Sequence, residues 1–242
     1  MKTTEYIKIK IDRLPKGYVF TYEDFVTEVN KKEAIIKGLN RMVASGIINK
    51  LSKGKYYKPE STVFGTLLPE QYQVVKDLLE KDGKLIGYIT GYSIYNKLGL
   101  TSQISNTIQI GKNEIRPAIR RGMYKIEFIR QKNNINRENI ALLQLLDAMR
   151  YIRKIPDTDT ASACKRFLAI VKDLKEKDIT TLVRLAQKYP PSTRALLGAL
   201  LQETGKNSLT EPLKKSLNSI TIYKLPGANK ALSTTENWNI KS

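Results

Sequence analysis

The sequence contains no histidine and a single cysteine, Cys164. The absence of histidine excludes serine–histidine and cysteine–histidine catalytic pairs, and it removes a common zinc ligand. A lone cysteine cannot form a disulfide within the chain or a cysteine zinc cluster, so we expect Cys164 to be buried and inert. These two absences exclude many hydrolytic, redox and metal-dependent activities.

Phosphate-binding loops and long apolar segments are also missing. The chain has neither G-x-x-x-x-G-K-[S/T] nor G-x-G-x-x-G, the loops that hold phosphates in two large groups of nucleotide-binding proteins. No run approaches the ~18 apolar residues that a membrane span needs, and the N-terminus lacks a hydrophobic signal core. We therefore expect a cytoplasmic protein without enzymatic activity, cofactor, metal or membrane partner.

Positive charge is what the sequence has in excess. Its 42 Lys and Arg residues against 23 Asp and Glu give a formal net charge of +19, which favours a polyanionic partner such as nucleic acid. The densest cluster, residues 112–137, has 8 basic and 2 acidic residues. It is led by Arg116, Arg120, Arg121 and Lys125. Three interpretations stay open for this segment: contacts to phosphates, capture of an acidic protein, or a solvated loop.

A capped basic helix is predicted near the N-terminus. Asn30 and Glu33 have the spacing of a capping box, so the helix begins near Lys31 and ends at Gly46. Its apolar stripe consists of Ile35, Leu39, Met42 and Val43, and its opposite face of Glu33, Lys37, Asn40, Arg41 and Ala44. That face is small and basic enough to enter a DNA groove. The alternative is that Lys37 and Arg41 are simply the solvated side of an amphipathic helix.

A hairpin is predicted directly after this helix. Two short strands, 47–51 and 55–58, flank Ser52-Lys53-Gly54, where glycine allows a positive φ. A further strand at 18–20 and a second helix capped by Thr21 precede the basic helix. This order predicts a winged helix-turn-helix. Asn40 and Arg41 are then the candidates for reading base edges, and Lys37, Lys53 and Lys55 for the rest of the DNA contact.

The sequence as a whole predicts an α+β protein of three domains. Residues 1–60 form the winged helix-turn-helix, residues 61–155 a small α/β domain, and residues 156–242 a helical region with a loosely held tail after Lys224. The alternative for this tail is that Trp238, the single tryptophan, docks it. Period-two patterns predict strands at 107–110 and 124–129, and a helix follows from Arg137 to about Arg153.

Tyr88, Tyr92 and Tyr95 could stack on bases but have the spacing of core residues. Asp157 and Asp159 suit helix capping better than metal binding.

Several stretches resemble the AbiEi antitoxins of abortive-infection toxin–antitoxin operons (type IV systems). The most specific is Thr90–Gln103 (TGYSIYNKLGLTSQ). The others are Arg13–Gly17, Leu39–Val43 with Gly46, Gly54–Tyr57, Tyr189–Gly198 and Ser216–Asn218.

The resemblance implies a bacterial transcriptional repressor that binds inverted repeats in its own promoter, with a homodimer on the DNA as one expectation. It also implies neutralisation of a nucleotidyltransferase-fold toxin. The DNA-binding positions of the family correspond to Lys37, Asn40, Arg41, Lys53 and Lys55. The alternative from another class is a protein-interaction adaptor that does not bind DNA and uses residues 112–137 for an acidic partner.

Overall fold

A computed structural model describes residues 3–26 and 32–241, and their packing divides the chain into two compact units. The first unit consists of Met1–Leu78 with Ile119–Tyr124, and the second of Leu79–Ala118 with Lys125–Ser242. Helices and small sheets occur in both units, which confirms the predicted α+β class. The division into three domains stays a prediction. Within the described ranges, none of the helices has the length and apolar character needed to cross a bilayer.

The first unit begins with a helix and a short sheet. Its helices are α1 (Thr3–Asp12), α2 (Lys32–Ala44) and α3 (Gln71–Leu79), and its strands are β1 (Val19–Phe20), β2 (Asn49–Ser52), β3 (Lys55–Tyr57), β4 (Glu60–Thr62) and β5 (Gly65–Leu67). Strands β1, β3 and β2 form one antiparallel sheet in that order. The core joins the inner sides of α1 and α2 to this sheet, with Ile7, Ile11, Phe20, Phe25, Ile35, Leu39, Met42, Ile48 and Tyr56.

The predicted cap at Thr21 is present, but the helix after it is short. The Thr21 hydroxyl accepts a hydrogen bond from the Glu23 N–H (3.2 Å), and the Asp24 carboxylate accepts one from the Thr21 N–H (2.7 Å). Only a single 3₁₀ turn, Tyr22–Phe25, follows, because Val26 is already extended (φ −71°, ψ 116°). The predicted start of the basic helix at Asn30 and Lys31 lies outside the described residues.

The predicted hairpin forms between β2 and β3. Lys53 and Gly54 make the turn, and Gly54 has a φ of +73°, which an L side chain rarely adopts. The Lys58 ammonium group donates to the carbonyls of Asp12 (2.7 Å) and Leu14 (2.8 Å). It thereby ties the end of the hairpin to the last carbonyl of α1 and to the residues that follow this helix.

A second hairpin, which the sequence patterns do not predict, follows at once. Strands β4 and β5 pair antiparallel, and the turn between them consists of Val63 and Phe64. These two side chains are 94% and 98% exposed. The Thr62 hydroxyl orders the turn, because it donates to the Gly65 carbonyl (3.0 Å) and accepts from the Phe64 N–H (3.2 Å).

The second unit combines a small sheet with a layer of helices. Its strands are β6 (Glu80–Lys81), β7 (Lys84–Leu85), β8 (Gly87–Thr90), β9 (Thr107–Lys112), β11 (Tyr124–Arg130), β12 (Tyr223–Lys224) and β13 (Ile240–Lys241). Its helices are α4 (Tyr92–Lys97), α5 (Arg137–Arg150), α6 (Thr160–Asp173), α7 (Glu176–Ala186), α8 (Pro191–Glu203) and α9 (Glu211–Lys215).

The two predicted strands β9 and β11 are confirmed, and they run parallel. Parallel neighbours need a crossover connection rather than a tight turn. Here the connection includes strand β10 (Ile119–Arg121), which belongs to the first unit. Strand β8 pairs antiparallel with the other side of β9.

The C-terminal tail is packed, so the prediction of a loosely held tail after Lys224 is wrong. Trp238 is 3% exposed, and its indole N–H donates to the Gln202 side-chain carbonyl at 2.7 Å. Strands β12 and β13 pair through Tyr223 and Ile240. The Gly, Asn and Ser residues that suggest a loose tail alternate with the apolar residues that bury it, namely Leu225, Leu232, Trp238 and Ile240.

Four residues that the sequence singles out, Cys164, Asp159, Tyr88 and Tyr95, can be placed in the structure. Cys164 is buried, as predicted, and burial raises the pKa of its thiol to about 12. Asp159 caps α6 by accepting from the Ser162 N–H at 2.8 Å, and the described residues contain no cluster of carboxylates, cysteine and histidine suited to a metal. Tyr88 and Tyr95 are core residues, each 2% exposed.

A buried polar network holds the sheet of the second unit to its helices. Asp147 of α5 is 1% exposed and accepts hydrogen bonds from the hydroxyls of Tyr88 (2.7 Å), Thr90 (2.9 Å) and Tyr189 (2.8 Å). The Gln131 amide donates to the oxygens of both tyrosines at 2.8 Å. Burial raises the pKa of Asp147, and the three hydroxyl donors act against that rise.

We expect Asp147→Ala to lower the free energy of unfolding by about 3 kcal/mol, because three buried hydroxyls lose their acceptor. Urea unfolding followed by circular dichroism measures this change. The control is Asp173→Ala, an exposed carboxylate at the end of α6, which should cost less than ~0.5 kcal/mol. Equal losses in both variants would show that the network contributes little to stability.

Candidate nucleic-acid interface

Helix α2 has one buried and one exposed side, as its sequence pattern predicts. Ile35, Leu39 and Met42 are buried in the core of the first unit. The exposed residues Lys37, Asn40, Arg41 and Ala44 are spaced at i, i+3, i+4 and i+7, so they share one side of the helix. We call these four residues the α2 face. It combines two cations, one amide and one small side chain.

The hairpin positions Asn40 within this face. The Tyr56 hydroxyl donates to the Asn40 side-chain carbonyl at 3.0 Å. Tyr56 is 3% exposed and stacks on Phe20, with ring centroids 6.3 Å apart, and burial raises the pKa of its hydroxyl. The hydrogen bond fixes the orientation of the amide. Its N–H₂ group forms no hydrogen bond within residues 3–26 and 32–241 and can donate to a ligand.

The lysines of the hairpin differ in how freely their ammonium groups can contact a ligand. Lys53 is exposed at the turn, and Lys50 is exposed on β2. The Lys55 ammonium group instead lies 3.1 Å from the Asp77 carboxylate, and its side chain is only 17% exposed. Lys53 is therefore the stronger candidate for a phosphate contact. Lys50 is a second exposed lysine of the hairpin, which the sequence pattern does not single out.

Arg121 has a structural position that its sequence context does not reveal. It is 7% exposed, and its guanidinium donates to the Asp77 carboxylate (2.8 Å) and to the Val74 carbonyl (2.7 Å). Burial raises the pKa of Asp77, but Arg121 and Lys55 outweigh this effect and hold the pKa below its ordinary value. The expected phosphate or partner contact at Arg121 is therefore wrong, because its donors are used inside the first unit.

Arg116, Arg120 and Lys125 of the basic segment differ in their surroundings. Arg120 is exposed on β10 of the first unit. In the second unit, the Arg116 guanidinium lies over the Phe128 ring, 5.4 Å from its centroid, and the Lys125 ammonium lies 2.6 Å from the Glu127 carboxylate. Lys125 is therefore partly neutralised.

Comparisons with known proteins add a family and a fold. Residues 6–179 match DUF6088, a family of unknown function. The comparison with curated proteins finds no match. Among solved structures, the crystal structure of the RV2827C protein from Mycobacterium tuberculosis is similar with a TM-score of 0.60 and 15% identity. The alignment covers 93% of this chain and 85% of that chain, and at this identity it shows a shared fold only. The chain therefore belongs to the DUF6088 family.

Proposed function

We propose that the first unit binds duplex DNA as a winged helix, with the α2 face in the major groove and the β2–β3 hairpin as the wing. The observation that carries this proposal is the exposed basic side of α2, next to a hairpin that holds Asn40 through Tyr56. An amide suits the edge of adenine and a guanidinium that of guanine, so Asn40 and Arg41 are the base-reading residues.

The charges on this surface are available to a ligand. Lys37, Arg41 and Lys53 form no salt bridge within the described part of the chain. Cations without a protein partner can neutralise phosphates and release the counterions that surround DNA. On this proposal Lys37 and Lys53 contact the phosphates of the DNA backbone, and Lys50 and Arg120 of the same unit provide further phosphate contacts.

We extend the proposal to a cytoplasmic, non-enzymatic antitoxin that represses its own operon. The support is the motif resemblance to AbiEi antitoxins, above all Thr90–Gln103, together with the DNA-binding surface proposed for the first unit. On this proposal the protein binds inverted repeats of its promoter as a homodimer and neutralises a nucleotidyltransferase-fold toxin. The proposal of a toxin is tested directly by whether the neighbouring gene encodes a nucleotidyltransferase.

The adaptor alternative has less support. It requires residues 112–137 to present their cations together to an acidic partner. Arg121 is instead buried on Asp77, and Lys125 is paired with Glu127. We therefore favour DNA as the polyanionic partner.

We expect Arg41→Ala to reduce discrimination between the DNA upstream of its own gene and a scrambled duplex by about 1–3 kcal/mol. The reason is the loss of a guanidinium that hydrogen-bonds base edges. Fluorescence anisotropy with both duplexes at fixed salt measures the change. Arg184→Ala, an exposed arginine on α7 of the second unit, is the matched control. Unchanged discrimination in Arg41→Ala would remove this residue as a reader.

We expect Lys53→Gln to weaken binding to all duplexes alike and to reduce the salt dependence by about one phosphate contact. Lys55→Gln should change the salt dependence less, because the Lys55 charge is already paired with Asp77. The measurement is the slope of log K against log salt concentration for each variant. A larger slope change in Lys55→Gln than in Lys53→Gln would contradict the proposed wing contacts.

A further inference from the structure

Two neighbouring cavities in the second unit share an arginine. The larger has a volume of about 480 Å³ and the smaller about 240 Å³, and Arg150 at the end of α5 lines both. Both also include residues from the start of α8, namely Ser192 in the larger and Pro191 in the smaller. A molecule bound at Arg150 can therefore extend into either cavity.

Cations surround both cavities. The smaller is lined by Arg130, Lys132, Arg150 and Lys188, and the larger by Arg150, Arg153, Lys154 and Lys224. No carboxylate lines either cavity, and within residues 3–26 and 32–241 none of these cations forms a salt bridge. Like charges that converge repel each other, and a bound anion relieves that repulsion. The buried Asp147 carboxylate interacts with Arg150 and offsets part of it.

The two cavities differ in their remaining surface. The larger has an apolar wall of Met149, Ile152, Leu196, Leu225 and Ile240. Tyr151 and Tyr223 also line it, and the Tyr151 ring carries the Arg150 guanidinium 5.0 Å and the Lys154 ammonium 5.6 Å from its centroid. Apolar and aromatic walls of this size accept a planar heterocycle, since ligand cavities measure ~300–1,000 Å³.

The smaller cavity suits phosphate groups. Its floor includes Gln131 and Tyr189, which are fixed by the buried Asp147 network. The start of α8 also lines this cavity, and the positive end of its helix dipole favours an anion. The four side-chain cations around a rigid floor supply the main attraction for an anion.

We propose that the second unit binds a nucleoside phosphate, with the base in the larger cavity and the phosphates at Arg150 and in the smaller cavity. This site recognises phosphates through side chains, so it does not need the glycine-rich loops that the sequence lacks. It is independent of DNA binding by the first unit. The nucleotide can be free or part of a short single strand, because both present the same base and phosphate chemistry.

Isothermal titration calorimetry of the full chain with ATP, GTP, CTP, UTP and inorganic triphosphate tests the proposal. We expect at least one nucleotide to bind more tightly than triphosphate, and Arg150→Gln to weaken that binding by about 10–100-fold. Arg184→Gln, which removes an exposed arginine outside both cavities, should leave it unchanged. Single-stranded trinucleotides form a second arm that distinguishes a free nucleotide from a strand.

A cavity-filling variant separates a shaped site from general attraction to positive charge. Ser192→Trp keeps every cation but places an indole in the larger cavity, so nucleotide affinity should fall to that of triphosphate. Circular dichroism confirms that each variant is folded. The proposal is overturned if neither nucleotides nor trinucleotides bind, or if Arg150→Gln and Arg184→Gln have equal effects. It is also overturned if Ser192→Trp leaves nucleotide binding intact.

Discussion

The packing of α2 into the core of the first unit, against α1 and Phe25, is the constraint on which the DNA-binding surface depends. Ile35, Leu39 and Met42 bury one side of the helix, and this burial leaves the opposite side in solvent. The hydrogen bond from Tyr56 to Asn40 then joins the hairpin to the exposed side. Because Tyr56 belongs to the core and Asn40 to the surface, the core determines how the surface amide is presented.

Charge has two different uses in this protein. Arg121 and Lys55 are paired with the Asp77 carboxylate and stabilise the first unit. Lys37, Arg41 and Lys53 form no salt bridge within the described residues, so their charges can act on a ligand. A buried guanidinium without Asp77 would carry a large desolvation cost, so this group of three residues acts as one structural element. Net charge along the chain cannot distinguish the two uses, because the distinction depends on which cations find a carboxylate after folding.

Local patterns in the sequence predict the elements of the fold well. The apolar period of α2, the cap at Thr21, the glycine at position 54 and strands β9 and β11 all depend on neighbours a few residues away. The β4–β5 hairpin is missed although its partners are close in sequence. The contacts of Arg121 and Trp238 depend instead on distant partners. Arg121 meets Asp77 from 44 positions along the chain, and Trp238 docks on Gln202 from 36 positions away.

The same reasoning explains which parts of the sites could be predicted. The α2 face lies on a single helix, so its spacing alone groups Lys37, Asn40 and Arg41. The Arg150 cavities combine the end of α5, the residues after β11 and the segment between α7 and α8. No sequence spacing brings these segments together, and only the folded second unit shows that their cations converge.

Protection of a thiol on α2 tests most directly whether the α2 face lies against DNA. In Ala44→Cys the new thiol is exposed, while Cys164 is buried, so a maleimide reports on position 44 alone. A saturating duplex from upstream of the gene should slow the modification of Ala44→Cys and leave Lys165→Cys on α6 unaffected. Equal rates for Ala44→Cys with and without the duplex would contradict a groove-bound α2.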